Sequence, residues 1–238
     1  MNQSYAEILA RHVFELKYEH LSSSTIQKTK QCLLDYIGGV FHASKSDTAI
    51  SYINLAKELG GDGTAEILGS KVKTTASYAA FANAALGHIA ETDDGHRASI
   101  MHIGTVVFPV IFALKSETLI DGKDIIEAAV AGYELAIRVG ECLNQSHYNT
   151  WHTTATAGTF GAAAAAAKIL KLTEEQTAWT LAHAGTQMAG LWQFLDDSCL
   201  TAKVLHPAKS AQNGIIAAFT AKANIPGPSH IFEGKRGV

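Results

Sequence analysis

The sequence predicts an all-α protein. Only four of the 238 residues are proline, so few positions would interrupt a helix. Alanine-rich segments carry apolar residues three and four positions apart, the spacing that collects them on one face of a helix. Alternating apolar and polar runs, which indicate strands, are scarce. We therefore expect one helical-bundle domain over residues 1–238.

Nine segments have helical spacing. They span about residues 4–18, 24–43, 48–59, 75–90, 104–116, 122–145, 154–170, 174–187 and 208–223. Ser22–Ser24 precede the second segment, and Thr173 stands before the acidic first turn of the eighth, as N-caps do. The GDG sequence at 61–63 separates two helices, and AEILGSKV at 65–72 is the one segment that favours an extended conformation.

The segment at 153–170, TTATAGTFGAAAAAAKIL, contains six consecutive alanines. Small side chains let a neighbouring backbone approach closely, so this helix is expected in the middle of the bundle. The alternative is that the alanines only favour helix, since alanine has the highest helix propensity.

Composition restricts the partners. The net charge is −3 without a Lys/Arg-rich run, which argues against nucleic acid and anionic lipid. No apolar run reaches the roughly 18 residues of a membrane span, and the first twenty residues lack the pattern of a secretory signal. The widely spaced Cys32, Cys142 and Cys199 suggest neither disulfides nor a zinc ribbon. A cytoplasmic protein that binds small molecules or other proteins is expected.

Titratable side chains gather in ETDDGHRASIMHIG, residues 91–104, in a chain that is only 17% charged. Neutral imidazole suits proton transfer near pH 7, and carboxylates can assist it. The end of one predicted helix and the following loop carry His88, Glu91, Asp93, Asp94, His96, Arg97 and His102. His152 begins the alanine helix, and Lys203 and His206 fall in the predicted loop before the helix at 208.

Three predicted helices begin near residues 104, 154 and 208, and helix N-termini favour bound carboxylates. If these ends converge, they form a pocket for an acidic substrate. Simpler alternatives remain at each position: a histidine at a helix end can be a cap or a surface residue, Asp93 and Asp94 can form an N-cap or an Asx turn before Gly95, and Lys203 can be solvated.

Other chemistries lack their motifs. There is no HExxH and no cysteine pair, so no metal site is expected. No G-x-G-x-x-G follows a strand and no G-x-S-x-G is present, so neither a nucleotide cofactor nor a serine nucleophile is indicated.

An ordered set of motifs resembles the MmgE/PrpD family over nearly the whole chain. The motifs are ETDDGH…HIG at 91–104, AGYELAIRVG at 131–140, WHTTATAGTFGAAAAAAKILKL at 151–172, LAHAGTQMAG at 181–190, KVLHPAKSAQNGIIAAFTA at 203–221 and GPSHIFEGKRG at 227–237. The resemblance implies a helical domain joined to a smaller α+β lid domain, and a homodimer. It also implies acid/base chemistry on a small di- or tricarboxylate without metal or organic cofactor.

The resemblance also implies site residues. Asp93 matches an aspartate of the family's D-x-D-D motif, and His102 and His152 match its histidines, so these three are the expected catalytic groups. Lys203 matches the lysine ahead of the L-H-x-G element and, with His206 and Glu91, is expected to bind substrate.

Two positions depart from the pattern. Glu91 replaces the first aspartate and lengthens that carboxylate arm, and Pro207 replaces a glycine and removes a backbone N–H at the start of a helix.

Family enzymes continue past the EGKRG element into the lid domain, whereas this sequence ends at Val238. The chain is therefore expected to be a fragment, a separately encoded subunit or a remnant. We expect a lyase of the 2-methylcitrate dehydratase type or an isomerase, acting with a lid-bearing chain or as part of a longer enzyme. The rival hypothesis is a non-catalytic helical module for dimerisation or interaction.

Overall fold

A computed structural model describes residues 3–238 of the chain. The helices are α1 (Tyr5–Glu15), α2 (Ser23–Ala43), α3 (Asp47–Gly60), α4 (Ala76–His88), α5 (Gly104–Leu114), α6 (Gly122–Cys142), α7 (Gln145–Tyr148), α8 (Thr153–Ile169), α9 (Glu174–Gly185), α10 (Gln193–Asp196), α11 (Leu200–Lys203) and α12 (Leu205–Lys222). A 3-10 helix spans Tyr18–His20. The all-α prediction is confirmed for this part of the chain.

The predicted extended segment is a short hairpin. Strand β1 (Ala65–Glu66) pairs antiparallel with β2 (Lys73–Thr74), and Ala65 lies opposite Thr74. Only the first two residues of the predicted 65–72 stretch are strand, because the chain turns back immediately after them.

Two predicted N-caps are present. The Ser22 hydroxyl accepts a hydrogen bond from the Thr25 backbone N–H at 3.1 Å. Thr173 forms a capping box with Gln176: its hydroxyl accepts the Gln176 N–H, and the Gln176 side-chain oxygen accepts the Thr173 N–H, both at 3.2 Å. These bonds satisfy N–H groups that a helix start otherwise leaves without partners.

Helix α8 lies at the centre of the bundle, as its alanines predict. Every residue of α8 except Lys168 is buried, and α5, α6, α9 and α12 pack around it. A Cβ atom at Gly214 of α12 would lie 2.5 Å from the Ala162 Cβ, and one at Gly161 would lie 2.8 Å from the Gly132 carbonyl oxygen. Only small residues permit helices to approach this closely.

Two predicted helices end three residues early. The predicted helix at 122–145 ends at Cys142, because Leu143 is extended and Asn144 caps the separate helix α7 by accepting the His147 N–H at 3.1 Å. The predicted helix at 4–18 ends at Glu15, where Leu16 is extended.

Helix α12 begins at Leu205, three residues before the predicted start at 208. The prediction that Lys203 and His206 lie in a loop is therefore wrong: Lys203 ends α11, and His206 lies in the first turn of α12. Pro207 is the third residue of this helix, where its missing N–H breaks no intrahelical bond.

The fold brings four helix ends together. The C-terminal end of α4 and the N-terminal ends of α5, α8 and α12 meet around the loop 89–103, where hydrogen bonds join them. None of the helices in the described residues combines the length and apolar character that a membrane crossing requires.

Candidate active site

The loop 89–103 folds back so that Asp93 meets the last residue of α4. The Nδ1 atom of His88 lies 2.9 Å from Oδ2 and 3.2 Å from Oδ1 of Asp93. The His88 side chain is 0% exposed and that of Asp93 is 2% exposed. A buried carboxylate requires donors, and His88 Nδ1–H supplies one. From the sequence, His88 belongs to the polar cluster without an assigned role.

His102 contacts the same aspartate from the cleft side. Its Nδ1 lies 3.3 Å from the Asp93 carbonyl oxygen and 3.5 Å from the Asp93 Oδ2. Both oxygens are acceptors, so Nδ1 carries a proton and Nε2 is the ring nitrogen that does not face Asp93. The His102 side chain is 29% exposed and reaches solvent.

Asp94 fastens this loop to three helices. Its Oδ1 accepts the Gly104 N–H of α5 at 2.9 Å, its Oδ2 accepts the Tyr133 hydroxyl of α6 at 2.7 Å, and its own N–H donates to Asp35 Oδ2 of α2 at 3.0 Å. Burial raises the Asp94 pKa above its ordinary value, against the lowering effect of the Tyr133 and Gly104 hydrogen bonds. Asp94 thus has a structural role, whereas Asp93 faces two histidines.

His152 and His206 form a pair at the starts of α8 and α12. Their Nδ1 atoms are 3.0 Å apart, so one nitrogen donates and the other accepts. Burial, together with repulsion from neighbouring histidines and Lys203, lowers the pKa of His152 to about 2. Burial, together with repulsion from His88 and Lys203, lowers the pKa of His206 to about 4. Both rings are therefore neutral at pH 7.

Aromatic side chains complete the wall next to His152. The Trp192 ring lies 4.5 Å from the His152 ring, centroid to centroid, and Tyr148 packs edge-on against Trp192. Backbone bonds fix the arrangement: His152 N–H donates to the Gly190 carbonyl at 2.9 Å, and Trp192 N–H donates to the Thr150 carbonyl at 3.2 Å. Trp192 is not among the residues predicted from sequence; Gly190, two positions before it, has a φ of +147°, a backbone conformation that favours glycine.

Lys203 and Glu91 meet at the edge of the cleft. The Lys203 Nζ lies 2.7 Å from the Glu91 Oε2, and the lysine side chain is 11% exposed. Lys203 is therefore an ion-paired, largely covered cation, which excludes the alternative of a solvated side chain.

These side chains surround one open cleft of about 480 Å³. Its lining consists of Gly95, His96, Arg97, Ile100, Met101, His102, Tyr148, His152, Trp192 and Lys203. The loop and the start of α8 are joined directly, since the His102 N–H donates to the Thr154 hydroxyl at 3.1 Å. The expected convergence of the three helix starts is confirmed. Of the predicted site residues, His102, His152 and Lys203 line the cleft, and Asp93, Glu91 and His206 contact them.

One group of side chains within the described residues has a composition that metals accept. Ligand atoms of His88, Asp93 and His102 all lie within 4.8 Å of one another. Two imidazoles and a carboxylate suit a transition metal. The Asp93 carboxylate is already bonded to His88, however, and the His102 Nδ1 faces Asp93 at hydrogen-bonding distances. The expectation of a metal-free site stays a prediction.

The fold and the cleft define a class of protein: a helical domain that presents buried carboxylates, neutral histidines and one paired lysine at converging helix ends. Residues 7–238 match the family described as the MmgE/PrpD N-terminal domain, and the chain belongs to this family.

Named relatives agree with this assignment. The chain is 29% identical to the cis-aconitate decarboxylase of Homo sapiens over 98% of its length, covering 49% of that protein. It is 28% identical to the cis-aconitate decarboxylase-like protein oryM of Aspergillus oryzae and to the cis-aconitate decarboxylase of Aspergillus terreus, over 94% and 87% of its length. Those matches cover 48% and 43% of the two fungal proteins, so the chain spans about half the length of these relatives.

Proposed function

We propose that the cleft binds a small di- or tricarboxylate and moves a proton on the carbon next to a carboxylate, without metal or organic cofactor. The observation that carries this proposal is the arrangement of Asp93 and His102. A buried carboxylate and a main-chain carbonyl both face His102 Nδ1, which leaves Nε2 as a lone pair at the cleft. An oriented, neutral imidazole is the usual form of a general base.

His152 is proposed as the second proton-transfer group. It lines the same cleft, and its low pKa keeps it neutral, so it can give or accept a hydrogen bond without a net charge of its own. His206 fixes the orientation of the His152 ring through the contact between their Nδ1 atoms. His206, expected to bind substrate, is thus proposed to act through His152.

Lys203 is proposed to hold a substrate carboxylate. With His152 and His206 neutral, Lys203 and Arg97 are the two residues of the lining with permanent charge. A cation close to the reacting carbon stabilises the negative charge that develops when a proton leaves. In this proposal the Glu91 carboxylate occupies the place on Lys203 that a substrate carboxylate takes.

Three outcomes are compatible with this site. In loss of water, a proton leaves the carbon and hydroxide leaves the neighbouring carbon; in epimerisation, a proton leaves and another returns on the other face. In loss of carbon dioxide, the electron pair of the broken C–C bond stays on the substrate carbon skeleton, which then takes a proton. Loss of water and loss of carbon dioxide are lyase reactions. cis-Aconitate is the first substrate to test because relatives over nearly the whole chain are named as its decarboxylases.

The proposal includes association, either as a homodimer or with a chain that supplies a lid. Large apolar side chains on α2 and α3 support it, since Leu34 is 72% exposed and Phe41 and Leu59 are each 58% exposed. The same surface also favours the second candidate function, a non-catalytic interaction module. Light scattering at micromolar concentration tests both, and a monodisperse monomer contradicts the association.

The catalytic proposal is tested by incubating the chain with citrate, 2-methylcitrate or cis-aconitate in D₂O and following the acids by NMR. We expect deuterium to enter a position next to a carboxylate, or a lyase product to form, and expect His102→Gln and His152→Ala to remove this activity. Exchange that continues unchanged in both variants would contradict the assigned roles. A folded, acid-binding chain without any exchange would favour the non-catalytic module.

A further inference from the structure

His88 is buried behind the cleft and touches the group that orients the proposed base. Its side chain is 0% exposed, and its Nδ1 faces both oxygens of Asp93. The His88 and His102 rings lie 4.8 Å apart at an interplanar angle of 65°, on two sides of the same carboxylate. Asp93 is thus held between a fully buried imidazole and one that reaches the cleft.

We propose that His88 is a positioning residue that fixes the Asp93 carboxylate and, through it, the tautomer of His102. This inference rests on the proposed acid/base function and deepens it. Among the described residues, the donors brought to the Asp93 carboxylate are the Nδ1–H groups of His88 and His102.

The carboxylate specifies the tautomer because it only accepts hydrogen bonds. An acceptor facing His102 Nδ1 requires the proton there and leaves Nε2 bare on the cleft side. The contact from His102 Nδ1 to Asp93 Oδ2 is long, at 3.5 Å, whereas the contact from His88 is 2.9 Å. The shorter bond therefore sets where the carboxylate points. Without it, the Asp93 carboxylate can rotate away from His102. The main-chain carbonyl of Asp93, 3.3 Å from His102 Nδ1, is then the one acceptor of Asp93 that still favours the Nδ1–H tautomer, so this tautomer loses part of its preference.

The other ring nitrogen of His88 indicates what position 88 must supply. Among the described residues, His88 Nε2 is buried without a hydrogen-bond partner. The His88 ring therefore makes its hydrogen bonds through a single group, Nδ1–H, which donates to Asp93. The side-chain amide of asparagine presents an N–H near the same place, whereas leucine has a similar volume and no donor. His88→Asn and His88→Leu form a matched pair that separates the hydrogen bond from the packing.

The test is NMR of the 238-residue chain labelled with ¹⁵N-histidine, which distinguishes protonated from bare ring nitrogens without requiring turnover. The His102 signals are assigned by their loss in His102→Gln. We expect the Nδ1–H tautomer at His88 and His102 in the wild type and in His88→Asn. In His88→Leu and Asp93→Leu, the population of this tautomer at His102 should fall at least about twofold.

Two results would overturn the inference. One is an unchanged His102 tautomer in folded His88→Leu. The other, read in the wild type and so independent of any variant's folding, is a proton at Nε2 instead of Nδ1 on neutral His88. A failure of the proposed acid/base function can be told apart from a failure of this inference, because the histidine tautomers can be measured by NMR in a chain that has no activity.

Discussion

Lys203 and Glu91, 112 residues apart in the sequence, form an ion pair with Nζ 2.7 Å from Oε2 at the edge of the candidate site. Glu91 adopts a left-handed backbone conformation, with a φ of +51°, which non-glycine residues rarely adopt. The carboxylate of the protein itself thus lies on the cation that is proposed to bind a substrate carboxylate.

This relationship predicts that Glu91→Gln binds citrate or cis-aconitate more tightly, by about two- to tenfold, because the substitution removes the carboxylate that competes with the substrate for Lys203. Isothermal titration calorimetry measures the change. Glu66→Gln, which removes the surface partner of Lys73, is the matched control and should leave the affinity unchanged. Weaker binding by Glu91→Gln would show that Glu91 orients Lys203 instead of competing for it.

The low pKa of His152 predicts that stability falls with acid. Its folded pKa of about 2 lies below its unfolded value near 6.5, so the unfolded chain binds more protons. The contribution of neutral His152 to the free energy of unfolding is complete above about pH 6.5. Below that pH the free energy of unfolding falls by roughly 1.4 kcal/mol per pH unit.

Urea unfolding between pH 7.5 and 4.5 measures this slope. The free energy of unfolding of His152→Gln should depend less steeply on pH than that of the wild type. Above pH 7 the difference in this free energy between the two proteins should stay constant. Parallel curves throughout the range would contradict a neutral, buried His152.

The bond between Asp94 and Tyr133 predicts a stability cost. Tyr133→Phe leaves the buried Asp94 carboxylate without its 2.7 Å donor, which should lower the free energy of unfolding by about 1–3 kcal/mol. Tyr5→Phe, at an exposed position on α1, is the control and should change it little. Equal stability of the two variants would mean that Tyr133 does not hold the loop.

The close approach of α8 and α12 predicts that Gly214→Ala is destabilising. The added Cβ would lie 2.7 Å from the Ala162 backbone carbon, so a helix must move, at a cost of about 1–3 kcal/mol. Gly38→Ala in α2 meets no atom within 4 Å and should stabilise the protein by about 0.5–1 kcal/mol. Thermal unfolding compares them, and a stabilised Gly214→Ala would contradict the tight packing.

The long helices and the centre of the bundle could be predicted from sequence because helical spacing and small residues are local signals. The one-turn helices α7, α10 and α11 could not, since four residues carry no periodicity. The sequence predicts the start of α12 at 208, three residues too late. A proline is tolerated at any position of the first turn, so Pro207 does not fix the start, and it is the third residue of the helix.

The candidate site was only partly predictable. The clustering of Asp93 and His102 in fourteen residues was visible, but the roles of the two neighbouring aspartates depend on which one faces α4 and which one faces α6. The contacts of Lys203 with Glu91 and of His152 with His206 join segments that are distant in sequence. Burial of His88 could not be inferred from its position at a helix end.

The central claim is that the cleft is a carboxylate site formed by Lys203 and the histidines. The most direct measurement is a titration of this chain with citrate and cis-aconitate, followed by thermal unfolding, for the wild type, Lys203→Ala and Lys57→Ala, whose lysine pairs with Asp62 elsewhere on the surface. We predict saturable stabilisation of the wild type and Lys57→Ala that is lost in Lys203→Ala. Stabilisation of equal size in all three proteins, or none in a well-folded wild type, would contradict the account.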